Sequence, residues 1–378
     1  MAKKKTGRKL ATLSALQKKY DTALASEIAI PKDDILYIPS RMIAFTNQVG
    51  GGFPYGKIIE IYGEESSGKS LMAYDLAYCT QALGGIVLWC DSEHAYDAHW
   101  SELNGIDNER VQLYQESAIE KISDFSADMG LYWRSQLKNN EPILLVIDSI
   151  AALDCLANKN MDQTDAKAEM GNRAKQIDKF LRIRNEFFYD MGITVVCINQ
   201  LRSKIGASQF EDPDTTPGGK AMRFYASIRV GFYGGKSLKE KIDGEEEEVG
   251  RVTSIRIKKN KVAPKRKTLK QVPVIFHPEH PNEPIGFDKY YDLPHILERK
   301  GIVKRKKGGS IYYYKDKMIA RGNASFLEAL KTDAKLRRRL LKKTGINTIS
   351  SCKRKLENLD RNLYPVSDAK VTKHEETE

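Results

Sequence analysis

Apolar runs alternate with helix-compatible stretches through the middle of the chain. Four mainly apolar runs are typical of strands in a parallel sheet that is buried on both faces; they read KIIEIYG, GIVLWCD, PILLVIDS and ITVVCINQ. Helices are predicted between them, from Lys69 through Leu83, around Tyr96 to Asn104, and from Met170 to Met191. This alternation predicts an α/β fold with a mostly parallel central sheet and right-handed crossovers.

The flanking segments follow other patterns. Near the start, apolar residues at spacings of three and four predict an amphipathic helix that must dock on another surface, in cis or on a neighbouring chain: Leu10, Leu13, Leu16, Tyr20 and Leu24. Beyond Gln200, the run LRSKIGASQFEDPDTTPGG is long and polar, as functional or mobile loops are. Strands are predicted at SIRVGFYG and RVTSIRIKKNKV, with the acidic run Glu245 to Glu248 as the hairpin tip between them.

These patterns divide the chain into four parts. We expect an amino-terminal oligomerisation helix and arm in residues 1–34 and the core in residues 35–280. A small basic α+β domain is predicted for residues 281–345, and a polar tail for residues 346–378.

Composition narrows the class of protein. With 378 residues, 41% of them hydrophobic, the chain can bury one sizeable core and has room for a smaller second domain. The formal net charge of +12 favours polyanionic partners. Five cysteines without a CxxC pair argue against a disulfide framework or a zinc site, and no apolar run approaches the ~20 residues of a spanning helix. We therefore expect a soluble cytoplasmic protein without a membrane partner.

The segment GEESSGKS lies between the first predicted strand and the first predicted helix. It matches G-x-x-x-x-G-K-[ST], in which small residues let backbone N–H groups converge on phosphates at a helix N-terminus. Lys69 should reach the β- and γ-phosphates, and the Ser70 hydroxyl should bind Mg²⁺. The sequence thus predicts a nucleotide site formed by Gly63, Glu64, Glu65, Ser66, Ser67, Gly68, Lys69 and Ser70.

Polar residues at the ends of the other predicted strands reach the same edge of the sheet. Asp148 is the expected carboxylate for the metal, acting through water, although a strand-end turn would also explain it. Glu93 suits the activation of an attacking water; it could instead be a surface turn residue, and Asp91 is a rival for the role. Gln200 could sense the γ-phosphate at the mouth of the long loop, or be a buried amide satisfied by backbone.

Six segments occur in the order, and nearly the spacing, of the bacterial RecA recombinase family: GEESSGKS, DSEHAYD, VIDSIAALD, CINQLRSKIG, TPGGKAMRFYASIRV and IKKNKVAP. The resemblance is dense over about Ile35 to Ala263, and ERKGIVKRKKGGSIYYYKDKMIARG is similar to the family's small carboxy-terminal domain. It implies a RecA-like phosphate-loop ATPase core that uses ATP and Mg²⁺. The basic charge and the divergent segments resemble bacteriophage-encoded RecA/UvsX-like members, which would place the protein in the host-cell cytoplasm.

The resemblance extends the predicted catalytic set. Asp97 and Trp100 fall where the family contacts adenine with an Asp and a Tyr. Lys259 and Lys261 match the lysine pair that approaches the phosphates from the neighbouring protomer, so hydrolysis would need a filament. Gln200 would couple the state of the nucleotide to DNA.

Two DNA-facing loops are also implied, at about Asn158 to Met170 and about Leu201 to Pro217. In the family, apolar residues of these loops insert between bases, and cations face phosphates or the subunit boundary. The residues implied for DNA binding are Met170, Arg173, Lys175, Arg202, Lys204, Ile205, Gly218 and Gly219. Those implied for the subunit interface are Arg223, Phe224 and Arg229.

The sequence also departs from the family's pattern in the first loop. In addition, it contains two clusters of basic residues whose role the sequence does not decide. The first loop has fewer glycines than usual, and Lys175 stands where an arginine is typical. Residues Arg251 to Lys270 include nine basic residues and no acidic one, and further cations gather at Arg337 to Arg339 on a predicted helix. Each cluster is either a solvated face or a contact surface, and for Arg337 to Arg339 the contact would be duplex DNA.

The function implied is ATP-dependent homologous recombination. The protein would form a head-to-tail helical filament on single-stranded DNA, pair it with duplex DNA and exchange strands, with DNA-stimulated ATP hydrolysis. Mediator and single-strand-binding proteins are candidate partners. The alternatives are a ring-forming helicase or motor on the same fold, and a weakly hydrolysing DNA-binding mediator, which would not need Glu93.

Overall fold

The computed structural model describes residues 17–18, 35–138, 140–159, 166–203, 214–218, 220–264, 268–277, 285–305, 309–359, 362–364 and 366. The chain divides into two compact units, Met1–Ile35 and Leu36–Glu378. The predicted amino-terminal helix lies outside the described residues, except that Gln17 and Lys18 are helical. The predicted boundaries at residues 280 and 345 stay predictions.

The strands of the described residues are, in chain order, β1 (Tyr37–Ile38), β2 (Phe53–Pro54), β3 (Ile58–Gly63), β4 (Ile86–Asp91), β5 (Val111–Tyr114), β6 (Ile143–Asp148), β7 (Ile193–Gln200), β8 (Arg202–Ser203), β9 (Asp214–Thr215), β10 (Ile228–Ile242), β11 (Glu245–Asn260), β12 (Leu269–Ile275), β13 (Gly286–Phe287), β14 (Lys304–Arg305), β15 (Ile311–Tyr314) and β16 (Lys317–Arg321).

The α-helices of the same residues are α1 (Ile43–Val49), α2 (Lys69–Ala82), α3 (Ala98–Leu103), α4 (Ile119–Gln136), α5 (Leu156–Lys159), α6 (Ala166–Asp190), α7 (Ala221–Tyr225), α8 (Leu293–Arg299), α9 (Asn323–Thr332), α10 (Ala334–Thr344) and α11 (Ile349–Glu357). Two 3₁₀ turns occur at Asn108–Arg110 and Ile150–Ala152.

A nine-stranded sheet organises the fold, in the spatial order β13-β12-β11-β10-β3-β7-β6-β4-β5. The six strands from β10 to β5 pair in parallel, whereas β10 through β13 pair antiparallel. The four predicted apolar runs are β3, β4, β6 and β7, and nearly all their residues are buried. The α/β class with a mostly parallel central sheet is therefore confirmed.

Alternate residues of these strands pack on opposite faces of the sheet. Ile59 and Trp89 join one hydrophobic cluster, and Ile58 and Leu88 join the other. The first cluster continues into helices α8 to α11, so the carboxy-terminal segment shares the core of one face. Helix α11 lies in the segment predicted as a polar tail, where it buries Cys352 and Leu356.

Several predicted boundaries were wrong. The hairpin turn is formed by Asp243 and Gly244, both at positive φ as such turns require, so the acidic run begins strand β11 instead of forming the tip. In the predicted first loop, residues 158–159 end helix α5 and residues 166–170 begin helix α6. Residues 166–170 read AKAEM, and alanine, lysine, glutamate and methionine favour a helix. Residues 160–165 lie outside the described part of the chain.

The ends of the predicted second loop form a short antiparallel ribbon. Strand β8 pairs with β9, with Arg202 opposite Thr215 and Ser203 opposite Asp214. Residues 204–213, including Lys204 and Ile205, lie outside the described residues. None of the described helices is both long enough and apolar enough to span a membrane.

Candidate active site

The loop after β3 is shaped by two glycines and tied to neighbouring backbone. A Cβ on Gly63 would lie 2.2 Å from the Phe232 carbonyl oxygen, and Gly68 has a φ of 96° directly before helix α2. The Ser67 hydroxyl donates to the Glu64 carbonyl at 2.7 Å, and the Glu64 carboxylate accepts from the Gly234 N–H at 3.2 Å. The loop is thus preformed at a helix N-terminus, where free N–H groups favour an anion.

Opposite charges converge where helix α2 begins. The Lys69 ammonium donates to the Glu64 carbonyl, and its pKa is lowered by burial although the carboxylates of Asp148 and Glu93 oppose that shift. The Ser70 hydroxyl forms a hydrogen bond with the Asp148 carboxylate. Burial, together with the charges of Glu93 and Asp91, raises the pKa of Asp148 to about 7.

This donor set fits a phosphate-bound Mg²⁺ better than a metal held by protein alone. A hydroxyl and a carboxylate are ligands that Mg²⁺ accepts, and a cation would relieve the charge repulsion recorded in the raised pKa of Asp148. Within the described residues, no group of three His, Cys, Asp or Glu side chains is placed to hold a metal ion. The remaining ligands would have to come from the nucleotide and from water.

Hydrogen bonds distinguish Asp91 from Glu93. Asp91 is buried, and its carboxylate accepts from the backbone N–H groups of Ala95 and Tyr96, each at 3.0 Å. It therefore holds the loop that follows β4. Glu93 is exposed on that loop and accepts a hydrogen bond from the Ser149 hydroxyl, beside the end of β6. Of the two carboxylates, Glu93 is the one that solvent and substrate can reach.

Gln200 lies beside the phosphate loop because strands β3 and β7 are in register. Its Cα partner is Gly63, the first residue of the loop, and its Oε1 accepts from the Arg202 guanidinium at 3.4 Å. The preceding residue, Asn199, was not predicted. Its side chain donates to Pro217 and to Glu60, both at 3.0 Å, so it ties the far end of the 201–217 segment to β3.

A cavity of about 510 Å³ opens next to the loop. Ser66 through Leu71 line it, and so does Trp100, whose contact with adenine stays a prediction. Asp97 caps helix α3 by accepting from the Trp100 N–H at 2.9 Å, so it orients the indole's helix. Four further residues line the cavity, and the sequence analysis did not predict them. They lie on strand β11, on strand β12 and directly after β12: Glu248, Arg251, Val274 and Phe276.

The predicted lysine pair lies beside the first half of strand β3, before the phosphate loop begins. Arg229 pairs with Glu60 on one side and with Lys259 on the other, so Lys259 is level with the strand position three residues before Gly63. The Lys259 ammonium donates to the carbonyls of Arg223 and Phe224 at 2.6 and 3.1 Å. Burial and the charges of Lys261 and Arg229 lower its pKa. The structure does not bring these lysines to Lys69 of the same chain.

The residues implied for the subunit interface lie around that lysine pair. Phe224 is 71% exposed and is the most exposed large hydrophobic side chain among the described residues. Arg229 forms an ion pair with the fully buried Glu60, and its guanidinium lies 5.0 Å from the centre of the Tyr62 ring. Arg223 is exposed on helix α7.

The residues implied for DNA binding are only partly described. The Arg173 guanidinium donates to the Ala151 carbonyl at 3.4 Å, and Lys175 is exposed two residues further along helix α6. Gly218, at a φ of 90°, packs against Ile150 and Ile177. Gly219 and the Met170 side chain lie outside the described residues, as do Lys204 and Ile205.

A G-x-x-x-x-G-K-[ST] loop between β3 and α2, with Glu93 just beyond β4 and Asp148 at the end of β6, defines the class of phosphate-loop α/β proteins. The RecA N-terminal domain family matches residues 10–277. Protein RecA of Streptococcus pneumoniae strain Hungary19A-6 is 35% identical over 274 residues, which are 72% of this chain and 65% of the relative. Protein RecA of strains CGSP14 and JJA gives the same values. The chain belongs to the RecA family, and the match spans about 65% of these relatives' length.

Proposed function

We propose that this chain is an ATP-dependent DNA strand-exchange protein, which forms a head-to-tail helical filament on single-stranded DNA and hydrolyses ATP when bound to it. The proposal rests on membership of the RecA family and on the arrangement of the site. The proposal has three parts: formation of a filament, homologous pairing and strand exchange with duplex DNA, and ATP hydrolysis stimulated by DNA.

The phosphate end of the site supplies groups for binding and for water activation. Lys69 and the N–H groups at the start of α2 would bind the β- and γ-phosphates, while Ser70 and Asp148 would hold Mg²⁺, the latter through water. When bound, Mg²⁺ supplies charge neutralisation at the phosphates. Glu93, held by Ser149 and open to solvent, would orient and deprotonate the attacking water.

The proposed filament rests mainly on one observation, the separation of Lys259 from the phosphate loop of its own chain. Lys259 and Lys261 are cations beside the first half of β3, whereas Lys69 follows its carboxyl end, and the Lys259 ammonium donates to the carbonyl of the exposed Phe224. A head-to-tail contact that set these lysines against the phosphate loop of another copy would complete the charge clamp, and it would also relieve the repulsion between the lysines. Such a contact is heterologous, and repeating it builds a helix unless it closes into a ring.

The ribbon after Gln200 offers a route from the nucleotide to DNA. Gln200 lies beside Gly63, contacts Arg202 of strand β8, and adjoins Asn199, which holds Pro217. A γ-phosphate near Gln200 would therefore bias the whole 201–217 segment, which we propose to face single-stranded DNA together with the start of α6.

Mixing two inactive variants tests this arrangement directly. Lys69→Ala removes the phosphate-loop lysine, and the double variant Lys259→Ala, Lys261→Ala removes the pair that acts on the neighbour. Each alone should lose DNA-stimulated ATP hydrolysis. In an equimolar mixture on single-stranded DNA, about a quarter of the contacts join an intact loop to an intact lysine pair, so about a quarter of the wild-type rate should return.

Controls and alternatives follow from the same samples. Arg256→Gln removes a cation of strand β11 that lies over the Tyr233 ring, and should leave the rate near the wild-type value. Electron microscopy should show filaments with ATP, and a joint-molecule assay with homologous duplex should show strand exchange by the wild type. Closed rings, or hydrolysis indifferent to DNA, would refute the filament; no recovery in the mixture would refute the contribution in trans.

A further inference from the structure

The strand side of the nucleotide cavity contains a charged pair that the catalytic set does not use. Arg251 and Glu248, both on β11, line the same cavity as Lys69 and Trp100. The Arg251 Nε donates to a Glu248 carboxylate oxygen at 2.8 Å. This hydrogen bond, and after it one from Ser237, lowers the pKa of Glu248. The Arg251 side chain is 39% exposed, so its guanidinium is held on one side and open on the other.

The residues around this pair are of the kind that bind the base of a nucleotide. Val274 lies opposite Arg251 in the register of β11 and β12, and Phe276 follows two residues later. Both line the cavity together with the Trp100 indole. Apolar and aromatic walls with a few placed polar groups are typical of sites for the organic part of a ligand.

The phosphate end of the cavity is served by other groups. Lys69 and Ser70 begin helix α2 and lie near Asp148 and Glu93, whereas Arg251 is held by Glu248 on strand β11. A guanidinium that is already oriented by a carboxylate can stack on a base or donate to its ring acceptors with little further loss of freedom.

We propose that Arg251 contacts the nucleoside part of the bound nucleotide in cis, and that Glu248 is a positioning residue that holds the guanidinium against it. The inference rests on the proposed nucleotide-binding function of the cavity and deepens it. It adds a specificity-determining contact from strand β11, which is far in the sequence from the phosphate loop.

Equilibrium binding of three probes tests the assignment without recourse to hydrolysis. ATP, ADP and inorganic tripolyphosphate are titrated by calorimetry with Mg²⁺ into DNA-free protein. Arg251→Gln should weaken ATP and ADP about tenfold, the loss expected for one charge-assisted contact, and leave tripolyphosphate within about twofold of wild type. Lys69→Ala should weaken all three, and Arg256→Gln, on the same strand but away from the cavity wall, should weaken none.

The positioning role has its own readout. Glu248→Ala should weaken ATP and ADP less than Arg251→Gln does, and Glu248→Gln, which keeps an oxygen acceptor for the guanidinium, should restore most of the affinity. Glu248→Ala combined with Arg251→Gln should be no weaker than Arg251→Gln alone, because Glu248 acts through Arg251.

The outcomes separate this inference from the function on which it rests. If wild type binds ATP and hydrolyses it with DNA while Arg251→Gln binds ATP as tightly, only the inference is overturned. If Arg251→Gln weakens tripolyphosphate as much as ATP, the contact is to phosphate and the nucleoside assignment is overturned. If wild type binds no nucleotide, both the inference and the proposed function are overturned.

Discussion

Replacing Asp148 by asparagine should stabilise the protein in the absence of nucleotide and metal, although it removes a carboxylate proposed to serve catalysis. Burial is the largest cause of the raised pKa of Asp148, and the charges of Glu93 and Asp91 add to it. The hydrogen bond from Ser70 and the charge of Lys69 lower the pKa, but only in part. Ionised Asp148 therefore costs free energy in the folded state. Asparagine has the same shape and can still accept from Ser70, but carries no charge.

The magnitude follows from the pKa. A rise from 3.8 to about 7 corresponds to about 4 kcal/mol, which is the upper limit of the gain. Because the folded-state pKa is the higher one, the favourable contribution of the protonated form is complete below pH ~4 and is lost as pH rises to about 7. The stability difference between Asp148→Asn and wild type should thus be near zero at pH 4 and grow to its full value at pH 8.

Urea unfolding, monitored by circular dichroism, measures how this difference in stability depends on pH. Wild type and Asp148→Asn are compared in EDTA from pH 4.5 to pH 8, with Asp178→Asn, an exposed carboxylate on helix α6, as the control that should show no such growth. A difference that stays flat with pH, or a variant less stable than wild type at pH 8, would refute the assignment of strain to the charge of Asp148.

Addition of Mg²⁺ and nucleotide should reverse the order. A cation beside the carboxylate favours its ionised form, so ligand binding removes the penalty in wild type. The asparagine variant has no charge to offer, and should gain less stability from the same ligand. Protection of the variant equal to that of wild type would argue that Asp148 does not serve the metal.

Three further changes test other parts of the structure. Glu60→Ala should cost about 3–5 kcal/mol in free energy of unfolding, because it leaves the Arg229 guanidinium without its buried partner; adding Arg229→Met should recover most of that loss, and urea unfolding without recovery would contradict the account. Gly192→Ala should cost about 1–3 kcal/mol, because its φ is 63° and a Cβ would lie 2.8 Å from the Tyr364 ring; thermal unfolding should show a smaller cost in a Tyr364→Ala background. Gln200→Ala should keep basal ATP hydrolysis and lose its stimulation by single-stranded DNA, and unchanged stimulation would exclude Gln200 as the coupling residue.

The central strands were predictable because both their faces are buried. Strands β3, β4, β6 and β7 leave little room for polar residues until they end, and there the phosphate loop, Glu93, Asp148 and Gln200 follow. The sequence therefore placed the predicted chemistry at one edge of the sheet. It left Asp91 and Glu93 as rivals, since their burial and their hydrogen bonds, which distinguish them, arise only in the folded chain.

Strand β5 and helix α4 were missed because their patterns are weak. β5 is an edge strand whose residues are all partly or fully exposed. The buried face of α4 includes small and charged residues, among them Gly130, where a Cβ would lie 2.7 Å from Ile193, and Arg134, whose guanidinium donates to the Met191 carbonyl at 2.8 Å. Close approach of backbone takes the place of an apolar stripe there.

The cavity wall formed by Glu248, Arg251 and Phe276 was beyond local patterns altogether. These residues lie about 180 to 210 positions after the phosphate loop and reach it because β10 returns to pair with β3 at the centre of the sheet. Their types, two charged side chains and an aromatic one in a basic stretch, are equally typical of a solvated hairpin. Sheet order, which composition does not fix, decides what they contact.

Within one chain, strand β3 also sets the distance between the phosphate loop and the lysine pair that we propose to act on a neighbouring copy. Glu60 anchors Arg229 beside Lys259, and Gly63 begins the phosphate loop three residues further along the same strand, about 10 Å at the usual rise. The strand is buried on both faces and hydrogen-bonded on both sides, so this spacing cannot change with the nucleotide. We therefore expect nucleotide state to alter the contact between copies through rotation of whole subunits and through the segment after Gln200, while the sheet itself stays rigid.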